Sequence, residues 1–332
     1  MNAHCKLPLE LVGCIIHFSS IQAQLALALA SRTFNRETNR VLYSSVRVAS
    51  FNALEALATT TASNPSLAAC IDNLTIDMLS TTRVDFELGE MSNLRHISLN
   101  MFAPPIDFLE NIQEDQLLSF HAAYDRTNDS LKRRHARFLG RQRRLKRLSL
   151  DQRLPLSKVD VPCLEELVCT PSTAIALGPA PRPLRNVVIL GTVDLDLLAV
   201  LLVALPPCVQ SLDIILDDGF FPRLFAITDA LPALESLQLC LVSLSDFETM
   251  AKSGKLPRFP ALRTLTISLD VFTDISPDEI LPTCTTLYTR WKKSAAPKLT
   301  TVNLSYEDYH TQGSYTIGED PKACRVRDQV MT

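Results

Sequence analysis

The residues that could do chemistry are scattered. Nine cysteines (Cys5, Cys14, Cys70, Cys163, Cys169, Cys208, Cys240, Cys284, Cys324) include no C-x-x-C pair, and the six histidines stand apart from one another. A metal site needs ligands converging at defined spacing, and this spacing supplies none. An odd, unpatterned set of thiols predicts reduced cysteines, several of them small buried hydrophobes, and hence a cytoplasmic or nuclear setting. With nine glycines in all, the chain shows no Gly-rich phosphate loop, G-x-S-x-G turn or H-E-x-x-H helix. The expectation is a non-enzymatic chain, with no catalytic residue, no metal and no cofactor.

One stretch is chemically distinct. LKRRHARFLGRQRRLKR, 131–147, carries nine Lys/Arg. Leu131, Phe138 and Leu139 give it an apolar stripe, which predicts a helix with a solvated basic face. Its functional readings are nuclear import or an acidic partner. No aromatic side chains are interleaved for base stacking, so nucleic acid is not an expected partner.

The elements that would position a site come from bulk properties and periodicity. The chain has 332 residues, 46% hydrophobic, with a net charge of −3 and mean hydropathy of +0.11. That is ample for a core, and it makes no whole-chain argument for a polyanionic partner. Glu10 interrupts the apolar run at 7–18 and no small-x-small site follows it, so an export signal is not expected. LDLLAVLLVAL, 195–205, is too short to span a bilayer. A membrane partner is therefore not expected.

Self-comparison reveals a repeat. VPCLEELVC (161–169), LPALESLQL (231–239), FPALRTLTI (259–267) and APKLTTVNL (296–304) share the skeleton P-x-L-x-x-L-x-L. Looser copies bring the starts to 71, 94, 117, 145, 164, 184, 209, 234, 262 and 299, mostly 19 to 28 residues apart. In a strand the L-x-L pair points to one face and the intervening residues to the other. One copy buries a few aliphatic side chains, about 1.5–3 kcal/mol each. That does not offset the ordering of some two dozen residues at roughly 1–2 kcal/mol each. The copies must stack, one parallel strand per repeat.

The returns carry helix signals. Asp194 can cap 195–205, Ser245-x-x-Glu248 reads as a capping box closed by Gly254, and Pro277 follows Ser276 at a helix start. PSTAIALGPAPRP, 171–183, reads as a plain loop, and 270–298 is a long connection. The pattern resembles the leucine-rich repeat family over about residues 46–305. That resemblance implies an α/β solenoid with a parallel sheet on the concave side and helices or loops on the convex side. No asparagine ladder follows the strands, so irregular repeats are expected. The tail, 306–332, either caps the last repeat or is disordered.

Residues 1–45 hold three short helical segments. Leu11, Ile15 and Phe18, with Ile16, lie at helical spacing; Ser20 can cap a second helix and Asn35 can start a third. So small a core leaves apolar surface needing a cover. The stretch is similar to an F-box in Leu7-Pro8-x-Glu10-Leu11, the Ile15-Ile16 pair, Leu27-Ala28-Leu29-Ala30-Ser31-Arg32-Thr33-Phe34-Asn35 and Val41-Leu42-Tyr43. The order F-box then leucine-rich repeats is itself a family architecture. It implies a receptor subunit of a cullin–RING (SCF-type) ubiquitin ligase, with Leu7, Pro8, Leu11, Ile15 and Leu25 facing the adaptor and the repeats binding a client protein. The rival expectation is a leucine-rich scaffold that recruits no ligase.

Outward strand positions are mostly small and polar. Val168, Val188, Leu190 and Ile215 break that pattern on consecutive strands and are expected to form one apolar client-binding patch. The competing expectation is a cover over this face from the tail or from 270–298. His96 and His121 share the outer face without a third ligand.

Overall fold

A computed structural model describes residues 8–78, 91–102, 106–124, 129–151, 153–154, 156, 159–216, 223–253, 255–270, 277–307, 311–317 and 325–330. The chain divides into two compact units, Met1–Arg147 and Leu148–Thr332.

The first unit opens with three helices, α1 (Leu9–His17), α2 (Ile21–Ala30) and α3 (Arg32–Leu42). Strands and returns then alternate: β1 (Ser45–Val48), α4 (Phe51–Ser63), α5 (Pro65–Ala68), β2 (Asn73–Met78), β3 (His96–Met101), α6 (Ile106–Glu110), β4 (Ser119–Tyr124) and α7 (Asp129–Gly140). Strands β1 to β4 pair in chain order, all parallel. Strand β5 (Arg147–Leu150) falls at the division between the units.

The second unit continues with β6 (Glu166–Cys169), α8 (Pro171–Leu177), β7 (Asn186–Val193), α9 (Leu195–Ala204), β8 (Ser211–Leu216), α10 (Arg223–Ala230), β9 (Ser236–Val242) and α11 (Leu244–Lys252). It ends with β10 (Thr264–Asp270), α12 (Pro277–Ser294), β11 (Thr301–Glu307), β12 (Thr311–Ile317) and β13 (Arg325–Val330). Strands β6 to β11 are again parallel and in chain order. The result is an α/β, solenoid-like arrangement with a mostly parallel sheet.

The leucine periodicity explains the packing. Along β2, Leu74, Ile76 and Met78 are buried while Asn73, Thr75 and Asp77 are half-exposed, and β3, β4 and β8 alternate in the same way. The inward side chains and the returns make the core, which includes Trp291 of α12 stacked on Phe259 at 5.6 Å between centroids.

A backbone device repeats where many of the parallel strands begin. The Ser44 carbonyl accepts from the amides of Asp72 and Asn73, that of Asp72 from Arg95 and His96, and that of Arg95 from Leu118 and Ser119. In the second unit the carbonyls of Glu165, Arg185, Gln210, Glu235 and Arg263 each take two successive amides of the following strand. Buried backbone donors must be paired, and these turns pair them without side-chain help.

Several local expectations are corrected. Residues 171–177 form α8 rather than a loop: Pro171 occupies the first turn, where its missing N–H costs nothing, and Gly178 at φ +68° ends the helix before the later prolines. The cap of α11 is Ser243, whose hydroxyl accepts from the Asp246 amide at 3.2 Å; Glu248 instead pairs with Lys252 at 2.6 Å. Gly254 and Ser276 lie outside the described residues. Ser31, not Asn35, caps α3, and Asn35 lies inside it, donating to the Ala28 carbonyl at 3.1 Å. Much of 270–298 is the helix α12. In the tail, β12 pairs antiparallel with β11 and β13 with β12, so the last repeat strand is extended by a meander.

Candidate functional site

Two surfaces could engage partners, one in each unit. The first is the helical module. On α1, Val12 and Ile16 point inward, whereas Leu11, Ile15 and Phe18 point out, Phe18 being 85% exposed. On α2 the buried side chain is Gln24, and Ile21, Leu25 and Leu29 are exposed. Gln24 Nε2 donates to the carbonyls of Ile16 at 2.8 Å and Ser19 at 3.1 Å, tying α2 to the end of α1. The buried residues of α3 are Glu37 and Thr38.

This module leaves much of its apolar surface outside. Its buried side chains are Val12 and Ile16 together with Gln24, Glu37 and Thr38, while other large aliphatic side chains stand outside at i, i+4 spacing (11/15 and 21/25/29). Transferring each such side chain out of water is worth about 1.5–3 kcal/mol. Large apolar side chains left exposed in this number make the module a candidate interaction surface.

Of the sequence-expected adaptor set, Pro8, Leu11, Ile15 and Leu25 are exposed on this module, and Leu7 lies outside the described residues. Sequence reading left Phe18, Ile21 and Leu29 out of that set. Their signal was available in helical spacing, Phe18 three residues after Ile15, and Ile21 and Leu29 four residues either side of Leu25.

The second surface is the outward face of β6 to β11. Val168 and Val188 are direct neighbours on paired strands. The expected patch is then interrupted. Val188 faces Asp213, and Ile215 faces Thr192 rather than Leu190, because the pairing of β7 with β8 shifts between Val188 and Thr192. Gly191, at φ +92°, supplies a backbone conformation that a side chain resists and lets the bulge form. Leu190 is half-buried within it.

Asp213 is flanked on its other side by Gln238, and Ile215 by Cys240. The Cys240 thiol donates to Asp213 Oδ1 at 3.2 Å, and Gln238 Nε2 lies 3.5 Å from that sulfur. Burial pushes the Cys240 thiol up to about 11, so it stays a donor at neutral pH. Burial also raises the Asp213 carboxyl, with the Cys240 hydrogen bond opposing the rise.

Of the 270–298 segment, the described part from Pro277 is mostly helix α12, which packs into the core. Helix α12 turns Cys284, Leu287, Tyr288 and Trp291 into the core, and Arg290 Nη1 donates to the Ala251 carbonyl at 2.7 Å, which fastens it to α11.

The basic stretch is partly structural. Arg134 on α7 bridges Asp107 at 2.8 Å and Glu110 at 2.7 Å on α6, holding the Glu110 carboxyl below its usual range. Arg141 donates to the carbonyls of Glu110 and Ile112. His135, not Leu131, completes the buried stripe with Phe138 and Leu139. His96 and His121 lie on neighbouring strands one row apart, and among the described residues no group of three or more His, Cys, Asp or Glu is placed to hold a metal. Among those residues, too, no helix is long and apolar enough to cross a membrane.

A comparison with models of known protein families gives no match, and neither does a comparison with curated proteins.

Proposed function

We propose that this chain is a non-catalytic receptor subunit of a cullin–RING ubiquitin ligase. In this reading residues 1–45 are an F-box that docks on the adaptor subunit, and residues 46–305 are leucine-rich repeats that hold a client protein for ubiquitination. The observation that carries it is the set of exposed apolar side chains, Leu11, Ile15, Phe18, Ile21, Leu25 and Leu29, on a module whose buried side chains include Gln24, Glu37 and Thr38. The P-x-L-x-x-L-x-L skeleton and the parallel strands it builds support the repeat assignment.

Co-purification with the adaptor tests the reading. The wild-type chain brings the adaptor down, and Leu11→Asp with Ile15→Asp loses it while thermal melting is unchanged, because both side chains already face solvent. A soluble wild-type chain that captures no adaptor would reject ligase recruitment and leave a leucine-rich binding scaffold.

A further inference from the structure

We propose that Asp213 and the aliphatic side chains beside it form a subsite for a lysine or arginine side chain presented by the client. This rests on the reading of the repeats as a client-binding face. Across β6 to β11 the outward positions of the L-x-L motifs carry two charged residues, Glu166 and Asp213, and no lysine or arginine. The face is thus electrostatically matched to a cation. Among the described residues no cationic group pairs with Asp213, which accepts a hydrogen bond from the neutral Cys240 thiol.

The layout suits a long cationic side chain. Val168 and Val188 run up to Asp213 on one side, and Ile215 lies two residues along β8. Lysine and arginine rest their methylene stems on apolar surface while the charged head finds a carboxylate. A half-buried carboxylate without a counter-charge keeps a desolvation cost that an incoming ammonium or guanidinium offsets. The Cys240 thiol holds one carboxylate oxygen, Oδ1, in place. Substitution by asparagine keeps the shape and removes the charge.

The test uses the full-length chain, immobilised, and a positional library of capped heptapeptides in which lysine, arginine, citrulline and norleucine compete at each position. Wild type is expected to favour lysine or arginine over citrulline and norleucine at one position by about tenfold or more, the scale of a hydrogen bond to a charged group. Asp213→Asn removes that preference, and Val188→Ala weakens binding without changing it. Retention of no peptide by wild type, or an unchanged preference in Asp213→Asn, overturns the proposal. Adaptor capture by the same immobilised chain separates the two readings. Capture without cation preference removes this subsite alone; cation preference without capture upholds the subsite and removes ligase recruitment.

Discussion

His135 is enclosed by Phe120, Tyr124 and Phe138, with ring centroids 5.3, 5.5 and 6.2 Å away respectively. Neither ring nitrogen has a hydrogen-bond partner among the described residues. Burial pushes the imidazole down from 6.5 to about 3. Between those values the unfolded chain holds a proton that the folded chain refuses, so stability falls as pH falls through that window. The slope is about 1.4 kcal/mol per pH unit, and lowering the pH from 6.5 to 4.5 should remove about 2–3 kcal/mol. Urea midpoints at pH 7 and 4.5 check this: His135→Leu should flatten the acid limb, and an equally steep limb in the variant would place the titration elsewhere. Leu11 and Val12 make a second contrast between adjacent residues. Leu11→Asp should leave the midpoint within about 0.5 kcal/mol. Val12→Asp buries an unpaired carboxylate and should melt the helical module, read as lost helical circular dichroism.

At the level of elements, caps and bulges decide what propensity leaves open. Ser243→Ala should cost about 1 kcal/mol by removing the α11 cap. Ser245→Ala, three residues before Glu248, should cost less than about 0.5 kcal/mol if Ser243 is the cap. Chemical denaturation of the two variants measures the difference. The capping-box reading placed the cap at Ser245, although Ser243 also precedes an acidic residue by three, and local pattern does not rank the two. The chain's exit from β9 does, because it leaves Ser243 extended beside the first free amides of the helix. Gly191 is similar. A Cβ there meets nothing within 4 Å, yet φ +92° is disfavoured for any side chain. Gly191→Ala should therefore cost about 1–2 kcal/mol from backbone strain alone, again by urea midpoint. Neighbouring repeats contain no comparable marker, so the bulge, and with it the row assignment of Leu190, could not be read from the L-x-L spacing.

For the whole molecule, stability comes from stacking rather than from any single repeat. Most of the parallel strands receive their starting hydrogen bonds from the repeat before them, as Glu235 provides for Arg263 and Thr264. Truncation inside the second unit, ahead of α12, should therefore remove the cover of Trp291, Tyr288 and Leu287 from the core. Loss of cooperative melting on deletion of 277–332 is the expected outcome, since a terminal repeat needs a polar outer face. A variant lacking 318–332 tests the meander at a smaller scale.

The parallel strands, their order and the face each residue presents were determined by the sequence, because an alternating strand pattern repeated at near-constant spacing has essentially one way to bury its leucines. So was the apolar character of the opening helices. Tertiary structure decided which of those apolar residues turn inward, placing Val12 and Ile16 inside and Leu11, Ile15 and Phe18 outside; helical spacing gives a stripe but not the direction it faces. It also decided that Ile215 sits beside Thr192 rather than Leu190, through a shift between β7 and β8 that depends on pairing between distant residues. Contacts across tens of residues set both outcomes, and a local pattern carries no record of them.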